Sequence, residues 1–224
     1  MSEIKNLQKG LTFCSEDERI EFIQDYLAKT YPGSASELCA LKFNTPFQLL
    51  IATILSAQCT DERVNAVTPK LFQKYGTPEA MANAQQYDVE DLIKSTGFFR
   101  NKAKNIIAVS GTIQDKGEDV LTTMESMVAL PGVGRKTANV VLSVAYGKPG
   151  LPVDTHVMRL SKRLGLTKNE DPVAIEKDLM SVIPASKSGA FSLRLILHGR
   201  SVCNARTPRC GICGLAQVCP SFMS

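Results

Sequence analysis

Six side chains in the second half of the chain have the types and spacing to do chemistry. Four are cysteines, Cys203-x6-Cys210-x2-Cys213-x5-Cys219. Four thiolates this close in sequence are the ligand set of a tetrahedral zinc ion or of a cubane iron–sulfur cluster. Ligand type does not choose between the two metals, although zinc ribbons usually carry two C-x-x-C knuckles and this segment has one. The fifth is Lys136, which follows Leu130-Pro131-Gly132-Val133-Gly134-Arg135. Glycines there permit a sharp turn that starts a helix at about Arg135, placing the Lys136 amine in its first turn. Unpaired N–H groups at such a helix start can hold an anion such as a phosphate. A nucleotide-binding P-loop is excluded, because the residue before Lys136-Thr137 is Arg135 rather than glycine. The sixth is Asp154, 18 residues after Lys136, whose carboxylate suits the N-cap of a helix over Thr155–Leu164.

The elements that must position these groups read as helices throughout. Residues 1–15 read as a loose tail, and Ser15 caps a helix to about Ala28, with Glu18 three residues on. Pro46 opens an apolar helix, Phe47-Gln48-Leu49-Leu50-Ile51-Ala52-Thr53-Ile54-Leu55-Ser56-Ala57-Gln58, that is greasy on nearly all sides and so belongs at the centre of a domain. Its polar end, Ser56-Ala57-Gln58-Cys59-Thr60-Asp61, reaches the surface and starts the next helix, which runs to about Tyr75. Further helices are predicted over Pro78–Ala84, Asp88–Ser95, Asn101–Asp115, Leu121–Leu130, Arg135–Tyr146, Asp171–Val182 and Ser188–His198. No alternating strand pattern is present, so the fold class is all-α.

At 224 residues the chain suits one large or two small domains, and 44% hydrophobic residues are enough to build a core. The net charge of +4 is unevenly spread. Pro131–Arg163 holds six Lys or Arg against Asp154 alone, and Lys187, Arg194, Arg200, Arg206 and Arg209 have no acid among them to the end of the chain. A polyanion partner for this half is therefore expected. Arg206 and Arg209 lie in the first cysteine loop, where a metal cluster would fix a phosphate-binding surface. The N-terminus shows no apolar h-region and no apolar run approaches the length of a membrane span, so a cytoplasmic, nucleoid-associated protein with no membrane partner is expected. Seven cysteines in a chain expected in the reducing cytosol argue against a disulfide framework.

The hairpin with Lys136, the carboxylate of Asp154 and the cysteine spacing together resemble the endonuclease III family of helix-hairpin-helix DNA glycosylases. The resemblance extends to Leu49-Leu50-Ile51-Ala52, Leu55-Ser56-Ala57-Gln58, Ala103-Lys104-Asn105-Ile106-Ile107, Val153-Asp154-Thr155-His156 and His198-Gly199-Arg200. It covers about residues 43–219. It implies a six-helix-barrel domain over 39–149 with the hairpin, and an iron–sulfur domain over 150–224 joined by the N-terminal extension and helix, 1–38. It implies a [4Fe-4S] cluster held by Cys203, Cys210, Cys213 and Cys219. It further implies a monomeric enzyme that removes oxidised pyrimidines from duplex DNA through a Lys136 Schiff base and cleaves abasic sites, with Asp154 as the partner carboxylate. Gly132, Val133, Gly134 and Arg135 would hold DNA phosphates, Gln58 would fill the gap left by a flipped nucleotide, and Phe98 would be the wedge. An aliphatic residue is more familiar at the wedge, and a core aromatic is the competing reading of Phe98.

Two other readings compete with this one. A pyrimidine-dimer glycosylase would have the same fold with Lys136 and Asp154. A non-catalytic helix-hairpin-helix DNA-binding protein would need neither. An adenine glycosylase is disfavoured, since it would lack the hairpin lysine and place a glutamate in the helix before Gln58.

Overall fold

A computed structural model describes residues 15–223, and among them every regular element is helical. In chain order the α-helices are α1 (Glu16–Thr30), α2 (Ala35–Leu38), α3 (Pro46–Leu55), α4 (Asp61–Tyr75), α5 (Pro78–Ala82) and α6 (Gln86–Ile93). They continue with α7 (Phe99–Lys116), α8 (Met124–Val128), α9 (Arg135–Ala145), α10 (Thr155–Arg163), α11 (Pro172–Val182), α12 (Ser188–Ser201) and α13 (Pro220–Met223). The predicted N-terminal tail, apart from Ser15, lies outside the described residues. None of the helices is long and apolar enough to cross a membrane.

Local chemistry sets most of the helix starts. The side chains of Ser15, Thr45, Thr60, Thr77, Asp154 and Asp171 each accept an amide hydrogen from the first turn they precede. Proline at the first position of α3, α5 and α11 costs nothing, because the N–H it lacks has no helical partner there. The predicted helix over Leu121–Leu130 divides in two. A 3₁₀ turn ends at Leu121, and α8 starts afresh with Thr123 accepting from the amide of Ser126 at 3.2 Å. Adjacent Thr122 and Thr123 bond to nearby backbone and interrupt the helix. The apolar helix predicted to reach Gln58 ends instead at Leu55.

The chain divides into two compact units, Met1–Leu38 with Leu151–Ser224, and Cys39–Gly150. In the second unit α3 is the central pillar: every residue from Phe47 to Leu55 is buried. It packs against α9, α4 and α7, while α5 and α6 pack on α7. In the first unit Ile23, Leu27, Val157, Leu160, Ile175, Leu179, Phe191 and Leu195 form a continuous core among α1, α10, α11 and α12.

Removing volume from the pillar should be costly. Leu50→Ala is expected to lower unfolding free energy by about 2–5 kcal/mol, from lost transfer energy and the cavity left behind. Urea unfolding that moved by less than about 1 kcal/mol would contradict the central place of α3.

Candidate active site and cysteine-lined cavity

The hairpin between α8 and α9 is tight. The amide of Leu130 donates to Met127 O at 3.0 Å, and that of Val133 to Leu130 O at 3.2 Å. Gly132 has φ +73°, and a Cβ there would come within 2.8 Å of the Asn105 side chain on α7. Both conformation and space therefore demand glycine at 132. Gly134, the N-cap of α9, has ordinary φ and open space where a Cβ would stand, and no side chain caps the helix. Val133 is buried, which anchors the turn, and the Lys136 side chain is exposed in the first turn of α9.

Gln58 and Phe98 share an unusual backbone. They are the two non-glycine residues with positive φ among those described, at +54° and +48°. Left-handed backbone at such residues costs about 1–3 kcal/mol and persists only where the surroundings enforce it. Gln58 stands exposed in the turn after α3, and Phe98 is the N-cap of α7 with 67% of its surface exposed. The core-aromatic reading of Phe98 is thereby corrected, because the left-handed backbone at Phe98 coincides with a solvent-facing ring.

Asp154 heads α10, where its Oδ1 accepts from the amides of His156 and Val157, each at 2.8 Å. Among the described residues its Oδ2 has no hydrogen-bond partner. The approach to Asp154 is held by Ser192, whose hydroxyl donates to Pro152 O at 2.5 Å.

From α10 a chain of contacts runs to the cysteines. Arg159 donates to Gly199 O and Cys203 O, each at 3.0 Å, and its guanidinium lies 3.1 Å from His156 Nδ1. Burial holds His156 below the usual imidazole range. A side chain at position 199 would collide with both partners, which accounts for the glycine there. One turn on, Arg163 donates to Cys203 Sγ at 3.3 Å, to Asn204 O at 2.7 Å and to Ala205 O at 2.8 Å. The cysteine loop is thus pinned by two arginines that sequence patterns did not single out. Their i, i+4 spacing on one face of a helix was the only available signal.

All four cysteines line one cavity of about 200 Å³, together with Arg163 and His198. Burial pushes the thiols of Cys213 and Cys219 above their ordinary range. His198 lies with Nε2 3.4 Å from Cys213 Sγ and Nδ1 3.1 Å from the Tyr31 hydroxyl, and burial lowers its pKa to about 4. Among the described residues no three His, Cys, Asp or Glu side chains converge as a single-ion site would. Arg206 and Arg209 are exposed on the loop, with Arg209 also donating to Ser201 O at 3.3 Å.

Residues 51–185, more than half of the chain, match the HhH-GPD superfamily of base excision DNA repair proteins. An endonuclease III from Synechocystis sp. is 54% identical over 209 residues, spanning 92% of this chain and 94% of that protein. Endonuclease III from Escherichia coli is 44% identical over 80% of this chain and 85% of its own length. A structure of a trapped endonuclease III–DNA covalent intermediate superposes with a TM-score of 0.85 at 41% identity, covering 93% of this chain and 98% of that one. A thermostable thymine-DNA glycosylase at 23% identity shares the fold, with a TM-score of 0.79. Through its hairpin, its helical architecture and this extent of identity, the chain belongs to the endonuclease III family of helix-hairpin-helix base-excision-repair proteins.

Proposed function

We propose that the protein excises oxidised pyrimidines from duplex DNA and then cleaves the strand on the 3′ side of the abasic site. The observation that carries this reading is the exposed Lys136 amine in the first turn of α9, behind a hairpin whose Gly132 is demanded by Asn105. Gly134 meets no internal need for a small residue, and its bare backbone suits the approach of a DNA phosphate to the start of α9. Gly132, Val133, Gly134 and Arg135 are assigned to that contact.

The chemistry follows from the two side chains. As the damaged base departs, positive charge develops on the sugar, and the carboxylate of Asp154 stabilises it. The cap bonds fix Asp154 by one oxygen and leave the other for that task. The Lys136 amine, in its neutral form, forms a bond to C1′ as the bond to the base breaks with its electron pair. The sugar ring then opens to a Schiff base, loss of a proton from C2′ follows, and the 3′ phosphate leaves. Gln58 and Phe98 act earlier, when the nucleotide leaves the stack: Phe98 enters as a wedge and Gln58 occupies the vacated space.

The four cysteines are assigned to a [4Fe-4S] cluster, supported by their spacing and by a shared cavity of a volume suited to a polynuclear group. When bound, the cluster supplies metal–thiolate crosslinks that hold the C-terminal segment. Arg163 and Arg159 hold the same loop from the protein side, so Arg206 and Arg209 are presented to the DNA backbone on a fixed support.

Borohydride added to wild-type protein and abasic DNA should yield a covalent adduct, and Lys136→Ala should yield none while keeping its helical circular dichroism. Asp154→Asn retains an oxygen for the cap and is expected to slow base release by about 10²–10³-fold, with a stability loss below about 1 kcal/mol. An adduct that persisted in Lys136→Ala, or unchanged base release in Asp154→Asn, would remove that residue from its role.

The purified protein should be yellow-brown and carry about four iron atoms per chain. Cys213→Ser should reduce iron content and soluble yield together, since ligand binding and folding are coupled. Stoichiometric zinc after anaerobic purification from iron-replete cells would contradict the cluster.

A further inference from the structure

We propose that Lys102 is the positioning residue that holds the Gln58 and Phe98 turns in the conformation used to extrude a nucleotide. The inference rests on the reading of Gln58 and Phe98 given above. Lys102 lies on the first turn of α7 and is 5% exposed. Its ammonium donates to Leu55 O at 2.8 Å and to Thr96 O at 2.7 Å. Leu55 is the last residue of α3, three before Gln58, and Thr96 is the last residue of a 3₁₀ turn, two before Phe98. One buried cation therefore closes two helical C-termini, where carbonyls lack internal partners and the helix dipole favours positive charge. The backbone amide of Lys102 also donates to Phe98 O at 3.1 Å, so Gly97-Phe98 is bracketed by the side chain and the main chain of one residue.

Stability alone gives little reason for this arrangement. Burying an ammonium is expensive, and among the described residues no carboxylate pairs with it. Burial also holds the Lys102 pKa below the ordinary lysine range. What the ammonium does secure is the pair of turns that carry the only described non-glycine residues in left-handed backbone. Strain of that kind needs an external restraint, and Lys102 bonds to the chain just ahead of both strained positions. With the ammonium in place the turns are formed before DNA arrives, so less ordering has to accompany binding.

The test uses the full-length protein with Lys102→Met, which keeps the length of the side chain and removes the donors, and Lys102→Arg, which keeps charge and donors at a different reach. Lys102→Met is expected to slow single-turnover release of a paired oxidised pyrimidine by about 10–100-fold, and borohydride trapping on preformed abasic DNA by about 3-fold or less, since an abasic nucleotide is easier to extrude. Lys102→Arg should recover part of the first loss. Amide exchange in Lys102→Met should quicken at 56–60 and 96–99 while α9 keeps its protection. Phe98→Ala placed on the Lys102→Met background should cost less than it does alone, as expected for residues acting through one element. Equal losses on both substrates accompanied by a uniform rise in exchange would show a role in stability only and overturn the proposal. So would unchanged exchange in both turns, or effects of Phe98→Ala and Lys102→Met that multiply independently. If Gln58→Ala and Phe98→Ala each leave base release intact, the wedge reading fails, while the exchange data still report whether Lys102 holds the turns.

Discussion

The burial of α3 is the constraint on which the 39–150 unit depends. A helix with every residue from Phe47 to Leu55 inside has no solvent face to slide along, so its axial position and rotation are both set by packing. Two consequences reach the surface. The chain must leave the core at Leu55, which places Gln58 in an exposed turn. And α9, packed on α3, buries Ala138, Val141 and Leu142 against the core while its first turn carries Lys136 into solvent. An apolar pillar thus positions polar groups that make almost no packing contribution of their own.

In the other unit the organising interactions are polar. Asp154 caps α10 with one carboxylate oxygen, and the same helix sends Arg159 and Arg163 to the carbonyls of residues 199 and 203–205. These are charge-assisted bonds to backbone, stronger than neutral ones and tolerant of whatever side chains the loop displays. One helix therefore supports a carboxylate proposed for catalysis at its N-terminus and a loop proposed for phosphate contact near its C-terminus. The close approach of Gly199 to His156 and Arg159 joins the Val153-Asp154-Thr155-His156 and His198-Gly199-Arg200 segments.

What could be read from the sequence was what local chemistry decides. Ser15, Pro46 and Asp154 mark helix starts because a cap or a proline acts within one turn. The central burial of α3 was legible from its apolar residues on nearly all sides. The break at Thr122-Thr123 was not, because hydrophobic periodicity continues across it while threonine hydroxyls redirect the backbone. The early end of α3 was hidden for a similar reason: nothing in Ser56-Ala57-Gln58 announces left-handed backbone, which follows from tertiary restraint. The proposed catalytic residues, Lys136 and Asp154, and the cysteines stood out by residue type and spacing. Lys102, Arg159 and Arg163 did not, since most of their partners are carbonyls, which no residue type reveals, and for Arg159 and Arg163 those carbonyls lie 40 or more positions away.

The central claim is that the Lys136 amine is the group joined to the sugar. Proteolysis of the borohydride-stabilised adduct from wild-type protein, followed by mass spectrometry of the nucleotide-bearing peptide, tests it most directly. The added mass is expected on Lys136, the amine in the first turn of α9. An adduct mapped to Lys102, to Lys162, which pairs with Glu170, or to the N-terminal amine would contradict it.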